Sequence, residues 1–426
     1  MAIATVARMK HHPHLVAASL AAFLAPLNPL ALAGDGTVIF ERITDGIAWD
    51  VSDDGSIVVG ADIATGGFIW TVDGTTSIGQ VAGIAANADG SLIAGDTAGP
   101  VGNSAGRFDG VSWTPFGAIG ATGCGSDLSS AYDISDDGGR AVGLGWDGCS
   151  ARAFLWSPTE GMTAMPQTGP FSSRANTITG DGTVIGGWDE ANNGTRRAAI
   201  WRENTKTGVW SESLPLAGQP GNLQGFGEVS GSNSDGSIIV GFASGNSDAS
   251  SGAFILRDSK NLDLVGLLPP QAQPVVGGLI DTTEDGEVMV GFQREGFGGF
   301  QSFRATIWTP DGGYQELKPY LNALGANIPD AFTLAVANSI SDDGRVICGW
   351  GYEGAFFFQE AWVVVLPGAD TPCPADVNGD GIIDGGDLGL LLAAWGTADA
   401  AADLDGNGNV DGADLGLMLA AWGACP

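Results

Sequence analysis

A nine-residue segment that opens on Ser, Thr or Asn and carries an Asp-Gly pair recurs seven times between Ser52 and Gly349. It reads SDDGSIVVG from Ser52, NADGSLIAG from Asn87, SDDGGRAVG from Ser135, TGDGTVIGG from Thr179, NSDGSIIVG from Asn233, TEDGEVMVG from Thr283 and SDDGRVICG from Ser341. The Asp-Gly pair and the closing glycine (Gly60, Gly95, Gly143, Gly187, Gly241, Gly291, Gly349) never vary. Ser, Thr and Asn start turns by bonding their own backbone, and Asp-Gly supplies the positive φ at which a strand reverses. The short apolar run that follows, such as Ile57-Val58-Val59, suits a strand buried on both faces. The closing glycine marks a point where two backbones come close.

A further strand follows each segment and usually ends in Trp. Trp70, Trp113, Trp156, Trp201 and Trp308 occupy this column, with Leu256 and Val364 filling it elsewhere. A Trp repeated once per unit is read as packing between neighbouring units. Each unit then holds four strands: two around the Asp-Gly turn, one ending in the Trp column, and one after the next turn. Seven such units at a pitch of 35 to 58 residues predict an all-β, seven-bladed β-propeller over residues 34–367. The competing architecture, an open β-solenoid, uses shorter and more regular repeats. The seventh unit runs out at AWVVVLP without a fourth strand, while an orphan strand, GTVIFERI (Gly36 to Ile43), precedes the first unit. The orphan strand is expected to complete the last blade, so that both ends of the chain close the ring. The segments SDDG…VVG and AFLW resemble the bacterial HAF extracellular repeat, with Arg152, Arg197 or Gly252 where that family has its His. The resemblance spans residues 36–367 and implies an exported repeat protein.

One column of these units is a candidate ligand rim. The residue after the closing glycine is aromatic in four units (Trp188, Phe242, Phe292, Trp350), and Trp146 lies near the same place in the third. Equivalent positions of a ring share one face, so these side chains suit stacking on sugar rings of a polysaccharide; packing between blades is the competing reading. Cys348 sits in a column of small residues and is read as a buried structural thiol. Most regularly placed acids are turn aspartates, so no catalytic residue is assigned.

After a linker over 368–372, residues 373–426 hold two copies of one loop and one apolar helix: DVNGDGIIDGGDLGLLLAAWG from Asp376 and DLDGNGNVDGADLGLMLAAWG from Asp403. The first loop offers Asp376, Asn378, Asp380, the carbonyl of Ile382, Asp384 and Asp387 at positions 1, 3, 5, 7, 9 and 12 of the twelve-residue calcium template. The second offers Asp403, Asp405, Asn407, the carbonyl of Asn409, Asp411 and Asp414. Hard oxygen donors at alternating positions suit Ca²⁺, so two ions are expected. The stripes Leu388, Leu391, Leu392, Trp395 and Leu415, Met418, Leu419, Trp422 are expected to pack on each other. No helix precedes either loop, and position 12 is Asp rather than Glu, unlike a sensor EF-hand. Residues 373–426 resemble a type I dockerin, which implies two Ca²⁺ ions and docking onto a cohesin or similar cell-surface protein. Gly385-Gly386 and Gly412-Ala413 stand where that family usually carries hydroxyl residues.

Residues 1–33 have a basic start, an apolar run and an Ala31-Leu32-Ala33 end, and are expected to be a cleaved secretory signal peptide. No other stretch is long and apolar enough to span a membrane. All three histidines (His11, His12, His14) lie in that leader. The mature chain is therefore denied Ser-His-Asp and Cys-His catalysis and histidine-bound zinc. The full sequence carries a net charge of −32, made two units more negative by the loss of Arg8 and Lys10. Nucleic acid and anionic membranes are thereby disfavoured as partners. In an exported chain, Cys373 with Cys425 and Cys124 with Cys149 are the expected disulfides, leaving Cys348 free. Together these readings describe a secreted or cell-surface binding or structural protein. The alternative is a secreted carbohydrate-active enzyme docked through its C-terminal module.

Overall fold

The structure is a computed structural model and describes residues 38–79, 82–99, 102–120, 128–219, 222–244, 251–272, 274–296, 301–367, 375–378, 382–398, 401–405 and 407–424. The leader, the linker, Cys124, Cys373, Cys425 and Asp380 lie outside the described residues. The fold is a β-propeller made of four-stranded antiparallel sheets, and the repeat accounts for seven of these. Five are separate. The other two are joined into one seven-stranded sheet by the long strand Ile39–Val51. The first half of that strand pairs with Glu360–Val365, from Ile39 opposite Val365 to Asp45 opposite Glu360. Its second half pairs with Val58–Asp62. The orphan strand thus stands as a fourth strand beside the last unit, and runs on into the first.

The invariant turn is built from side-chain bonds. In the first copy, the Ser52 hydroxyl accepts from Ile57 N (3.1 Å) and donates to Asp54 Oδ1 (2.7 Å), while Asp54 Oδ1 accepts from Ser56 N (2.9 Å). Ser135, Thr179, Thr283 and Ser341 repeat this arrangement with Asp137, Asp181, Asp285 and Asp343. The first position must both donate and accept, which is why only Ser, Thr or Asn occurs there. The two Asn copies use their extra donor to reach the next turn, Asn87 to Asp136 O and Asn233 to Glu284 O. Backbone bonds supply the other links: Asp54 N to Ala88 O, Asp136 N to Gly180 O, Asp181 N to Ser234 O, Glu284 N to Asp342 O and Asp342 N to Asp53 O. The links therefore pass from turn to turn and return from the seventh turn to the first.

Each inner strand also carries a β-bulge three residues before its turn. Trp49, Ile84, Tyr132, Asn176, Ser230, Ile280 and Asn338 are the residues skipped by the register at that place, and the seventh inner strand also skips Ala335. The closing glycine faces this bulge. A Cβ on Gly60, Gly95, Gly143, Gly187, Gly241, Gly291 or Gly349 would lie 2.0–2.2 Å from a backbone carbonyl of the inner strand. Close approach, and not a special φ, makes these glycines invariant. Gly241→Ala is expected to cost about 3 kcal/mol in urea unfolding, because its Cβ would meet Glu228 O and the Phe254 ring. Gly266→Ala, which meets nothing within 4 Å, is the control, with a change within about 0.5 kcal/mol.

The apolar columns fill the spaces between successive sheets. Trp70 joins Val346, Cys348, Val363 and Val365, and Trp201 packs with Val142, Leu155 and Ile185. Trp156 stacks on Phe116 at 3.9 Å. One assignment needs correction: Trp113 is not in the column. It lies in the fourth strand, Trp113–Pro115, and Phe108 fills the column opposite Ile93. The extra Asp-Gly turn explains this: Asp109 accepts from Val111 N and Ser112 N, so the chain reverses before the Trp is reached. Cys348 is fully buried and free, and Cys149 is disulfide-bonded.

In the C-terminal module, one helix (Gly385–Ala393) and a second (Gly412–Ala420) follow the two acidic loops. Leu391 and Met418 are fully buried with Ile383 and Val410, while Leu388 and Leu415 pack against them. Ile383 and Val410, both at position 8 of their loops, take the place expected for the outer half of each stripe. Leu392, Trp395, Leu419 and Trp422 are instead about half exposed, 46–53 %. Leu392 and Leu419, one step round the helix from Leu391 and Met418, are turned away by ~100°, and Trp395 and Trp422 lie beyond the helix ends at Ala393 and Ala420. The two halves are joined reciprocally: Val410 exchanges backbone bonds with Gly396 and Thr397, and Ile383 is paired with Gly423.

Candidate functional site

The bulges converge on one cavity. All seven bulged residues line an open cavity of about 630 Å³ walled by the inner strands of the sheets. A bulge re-aims a side chain that regular pairing would leave in the ladder. Here it places Trp49, Tyr132, Ile84, Ile280, Asn176, Asn338 and Ser230 in a single ring of the cavity wall. Two of these are tied down: the Asn176 amide donates to Val229 O and that of Asn338 to Ala48 O, both at 2.7 Å. Trp49 keeps 36 % of its surface exposed.

Next along the inner strands, two residues before each turn, come Asp50, Asp133 and Asp281, all in the cavity wall. Each also accepts from the next sheet: Asp50 from Ala86 N (2.9 Å), Asp133 from Ile178 N (2.7 Å) and Asp281 from Ile340 N (2.9 Å). The Ser339 hydroxyl lies between Asp50 (2.6 Å) and Asp281 (2.8 Å), within hydrogen-bond distance of both. At the turns themselves stand Asp53, Asp136 and Asp342. Burial raises Asp50 to about 6, and burial with the Asp50 charge raises Asp133 to about 8 and Asp281 to about 7. Burial and the Asp342 charge push Asp53 up to about 9, while burial and Glu284 bring Asp342 to about 7. The Asp53 carboxyl hydrogen-bonds Asp136, itself raised chiefly by burial. Burial and mutual repulsion thus both oppose the joint ionisation of these carboxyls.

The basic residue of the cavity is Arg174, and it is already committed. It donates to Glu228 (3.2 Å), lies over the Tyr132 ring at 4.8 Å and over Trp188 at 5.6 Å. Arg196 covers Trp188 at 4.3 Å and also bonds Glu228 (2.5 Å). The candidate rim is therefore divided. Phe242 and Phe292 line the cavity. Trp188 is 3 % exposed beneath its arginines, and Trp350 is 8 % exposed among Phe303 and Tyr352, so both serve packing. Trp146 is half-buried and does not line the cavity. The bulge ring and the cavity aspartates were not singled out in the sequence. Their signal lies in reading backwards from Asp-Gly, where copies one, three and six begin Trp-Asp-Val, Tyr-Asp-Ile and Ile-Asp-Thr.

The calcium-type loops form a second candidate site. Oxygens of Asp403, Asp405 and Asp414 lie within 4.8 Å of one another. Asp403 accepts from Asn407 N (3.0 Å) and Gly408 N (2.7 Å), which curls the loop around these carboxylates. Asp414 accepts from Leu404 N (2.7 Å), Asp405 N (3.1 Å) and Asp411 N (2.7 Å). The bond from Asp411, then those from Asp405 and Leu404, hold its carboxyl below the usual range. Asp387 repeats the role in the first loop with Asn378 N (3.0 Å) and Asp384 N (2.9 Å). Positions 9 and 12 of each loop are also the capping box of the following helix. Asp376, Asn378 and Asn409 keep their places at positions 1, 3 and 7 of the repeated loop pattern. Clustered carboxylates with exposed neighbouring oxygens fit a hard divalent cation.

No protein family matches the chain in sequence, and no curated protein does. Among solved structures the chain is similar to TolB from Acinetobacter baumannii at 13 % identity, covering 64 % of this chain and 63 % of that one, with a TM-score of 0.41. It is similar to the β-propeller domain of the trilobed protease from Pyrococcus furiosus at 11 % identity, 75 % and 93 % coverage and a TM-score of 0.44. An oligogalacturonate lyase in complex with manganese gives 11 % identity, 78 % and 91 % coverage and a TM-score of 0.46. Among the described residues no helix is long and apolar enough to cross a membrane.

Proposed function

We propose that the protein is a secreted or cell-surface binding protein. A seven-bladed β-propeller, closed into a ring by the pairing of Ile39–Asp45 with the last blade, presents an interaction surface. A calcium-loaded, dockerin-like module attaches it to a protein partner such as a cohesin. The observation that carries this reading is the doubled acidic loop, with Asp403, Asp405 and Asp414 drawn together and held by backbone N–H groups. The half-exposed Leu392, Trp395, Leu419 and Trp422 supply an apolar face for attachment. The test is to wash intact cells carrying the protein with EGTA. Release into the medium, and equal release of a Trp395→Asp/Trp422→Asp variant without EGTA, are expected. Retention under both conditions would sink the reading.

A second reading is a carbohydrate-active enzyme whose propeller is catalytic. The cavity carboxyls Asp50, Asp133 and Asp281, poised near neutral pH, favour it. Hydrolysis of a glycan that disappears in Asp133→Asn would establish it in place of the first.

A further inference from the structure

We infer that the axial cavity is a binding site for the end of an uncharged glycan chain, with Trp49 as its stacking platform. The inference rests on reading the propeller as the binding body and locates its ligand. Three observations on the bulge ring carry it. Seven separate strands break register at the same place, so the ring is a repeated device and not one local irregularity. The cavity, about 630 Å³, has the size of a small-ligand site. And Trp49, a large apolar ring in the cavity wall, is left 36 % exposed, although the other six bulged positions include residues that close off tidily, such as Asn338 bonded to Ala48 O.

The wall specifies the chemistry of the occupant. It is rich in acceptors: the aspartate oxygens and the Asn338 side-chain carbonyl. It offers donors as well, in the hydroxyls of Tyr132, Ser230 and Ser234 and in the carboxyls that hold a proton, but no free cation, because Arg174 is already bonded to Glu228. The complementary ligand has one apolar face for Trp49 and many groups at its edges that both donate and accept hydrogen bonds. A pyranose ring meets both needs, with axial C–H groups on its face and hydroxyls around its rim. Carboxylated or sulfated sugars are disfavoured, since the cavity has no free cation to pair with them and their charge would add to the repulsion among Asp50, Asp133 and Asp281 as these ionise.

The test is calorimetry of the mature, full-length protein with cellohexaose and chitohexaose, and with cellohexaose oxidised to the carboxylate at C6. At least one neutral hexaose is expected to bind with Kd below about 1 mM, and the carboxylated one not to bind. Trp49→Ala should weaken binding by about tenfold or more, and Trp49→Phe by no more than about threefold. The unfolding temperature of each variant shows that its propeller is intact. No binding of either neutral hexaose overturns the inference. So does binding that survives Trp49→Ala in a folded protein, which would leave the propeller a glycan binder at another place. EGTA release from cells is scored separately, so failure of attachment and failure of the cavity assignment are distinguishable.

Discussion

Chelation of calcium is expected to unfold residues 373–426 while the propeller stays folded. The module carries nine aspartates and no Lys or Arg. Its fully packed core is small: Ala375, Ile383, Leu391, Ala402, Val410 and Met418. A core of this size supplies little of the free energy needed to order ~50 residues. The converging carboxylates of Asp403, Asp405 and Asp414 oppose folding unless a cation lies between them. In such modules the binding energy of the metal is the folding energy. Calorimetry should count two Ca²⁺ per chain, and limited proteolysis in EGTA should remove the C-terminus and stop at the propeller. Asp414→Ala, which leaves three backbone N–H groups without their acceptor, should behave like EGTA at low calcium. Fewer than two ions bound, or a digestion pattern indifferent to EGTA, would refute the assignment.

Raising the pH from 5 to 9 is expected to lower the unfolding temperature of the propeller by roughly 5–10 °C. The sign follows from the cavity carboxyls. Asp50, Asp53, Asp133, Asp281 and Asp342 all have folded values raised above the ordinary range, to between about 6 and about 9. The folded chain thus holds protons that the unfolded chain has released. This contribution is complete below the unfolded carboxylate range, near ~4, and is lost as pH rises through the folded values. Glu284 and Asp136 face the same cluster and add to the repulsion as it ionises. The turn aspartates act in the opposite direction. Bonds from Ser91, Gly139 and Ser237 hold Asp89, Asp137 and Asp235 below the usual range, so their contribution is lost only in acid. Scanning calorimetry at constant ionic strength should place maximum stability near pH ~5. Asp133→Asn/Asp281→Asn should flatten the alkaline limb. A midpoint that stays level or rises between pH 6 and 9 would overturn this account.

Much of the fold was legible because it depends on local chemistry repeated many times. Ser52, Asp54 and Gly55 make their turn from bonds within five residues, so seven copies announce seven hairpins. The column error at Trp113 shows the limit. Spacing alone did not register that Asp109-Gly110 inserts a reversal, and only the pairing of Phe108 with Ile93 assigned the column. In the same way, the helix stripes foretold a shared core, but its small volume admitted Leu391 and Met418 and left Trp395 and Trp422 outside.

The candidate sites divide along the same line. The calcium-type loops were readable because all their donors lie within twelve consecutive residues, and Asp384 and Asp387 even cap the helix they precede. The cavity was not, because Trp49, Tyr132 and Asn338 are far apart in the chain and meet only when the sheets are arranged around an axis. By itself, the sequence determined the repeat, the turn chemistry, the acidic balance and the spacing of carboxylates in the loops, all of which can be read along the chain. Tertiary structure alone decided which aromatic residues are packed and which are open. It also showed why the closing glycines face bulges, and how Asp50, Asp133 and Asp281 come to share one poorly solvated space. Those outcomes depend on distances between strands of different units, which spacing along a single chain does not encode.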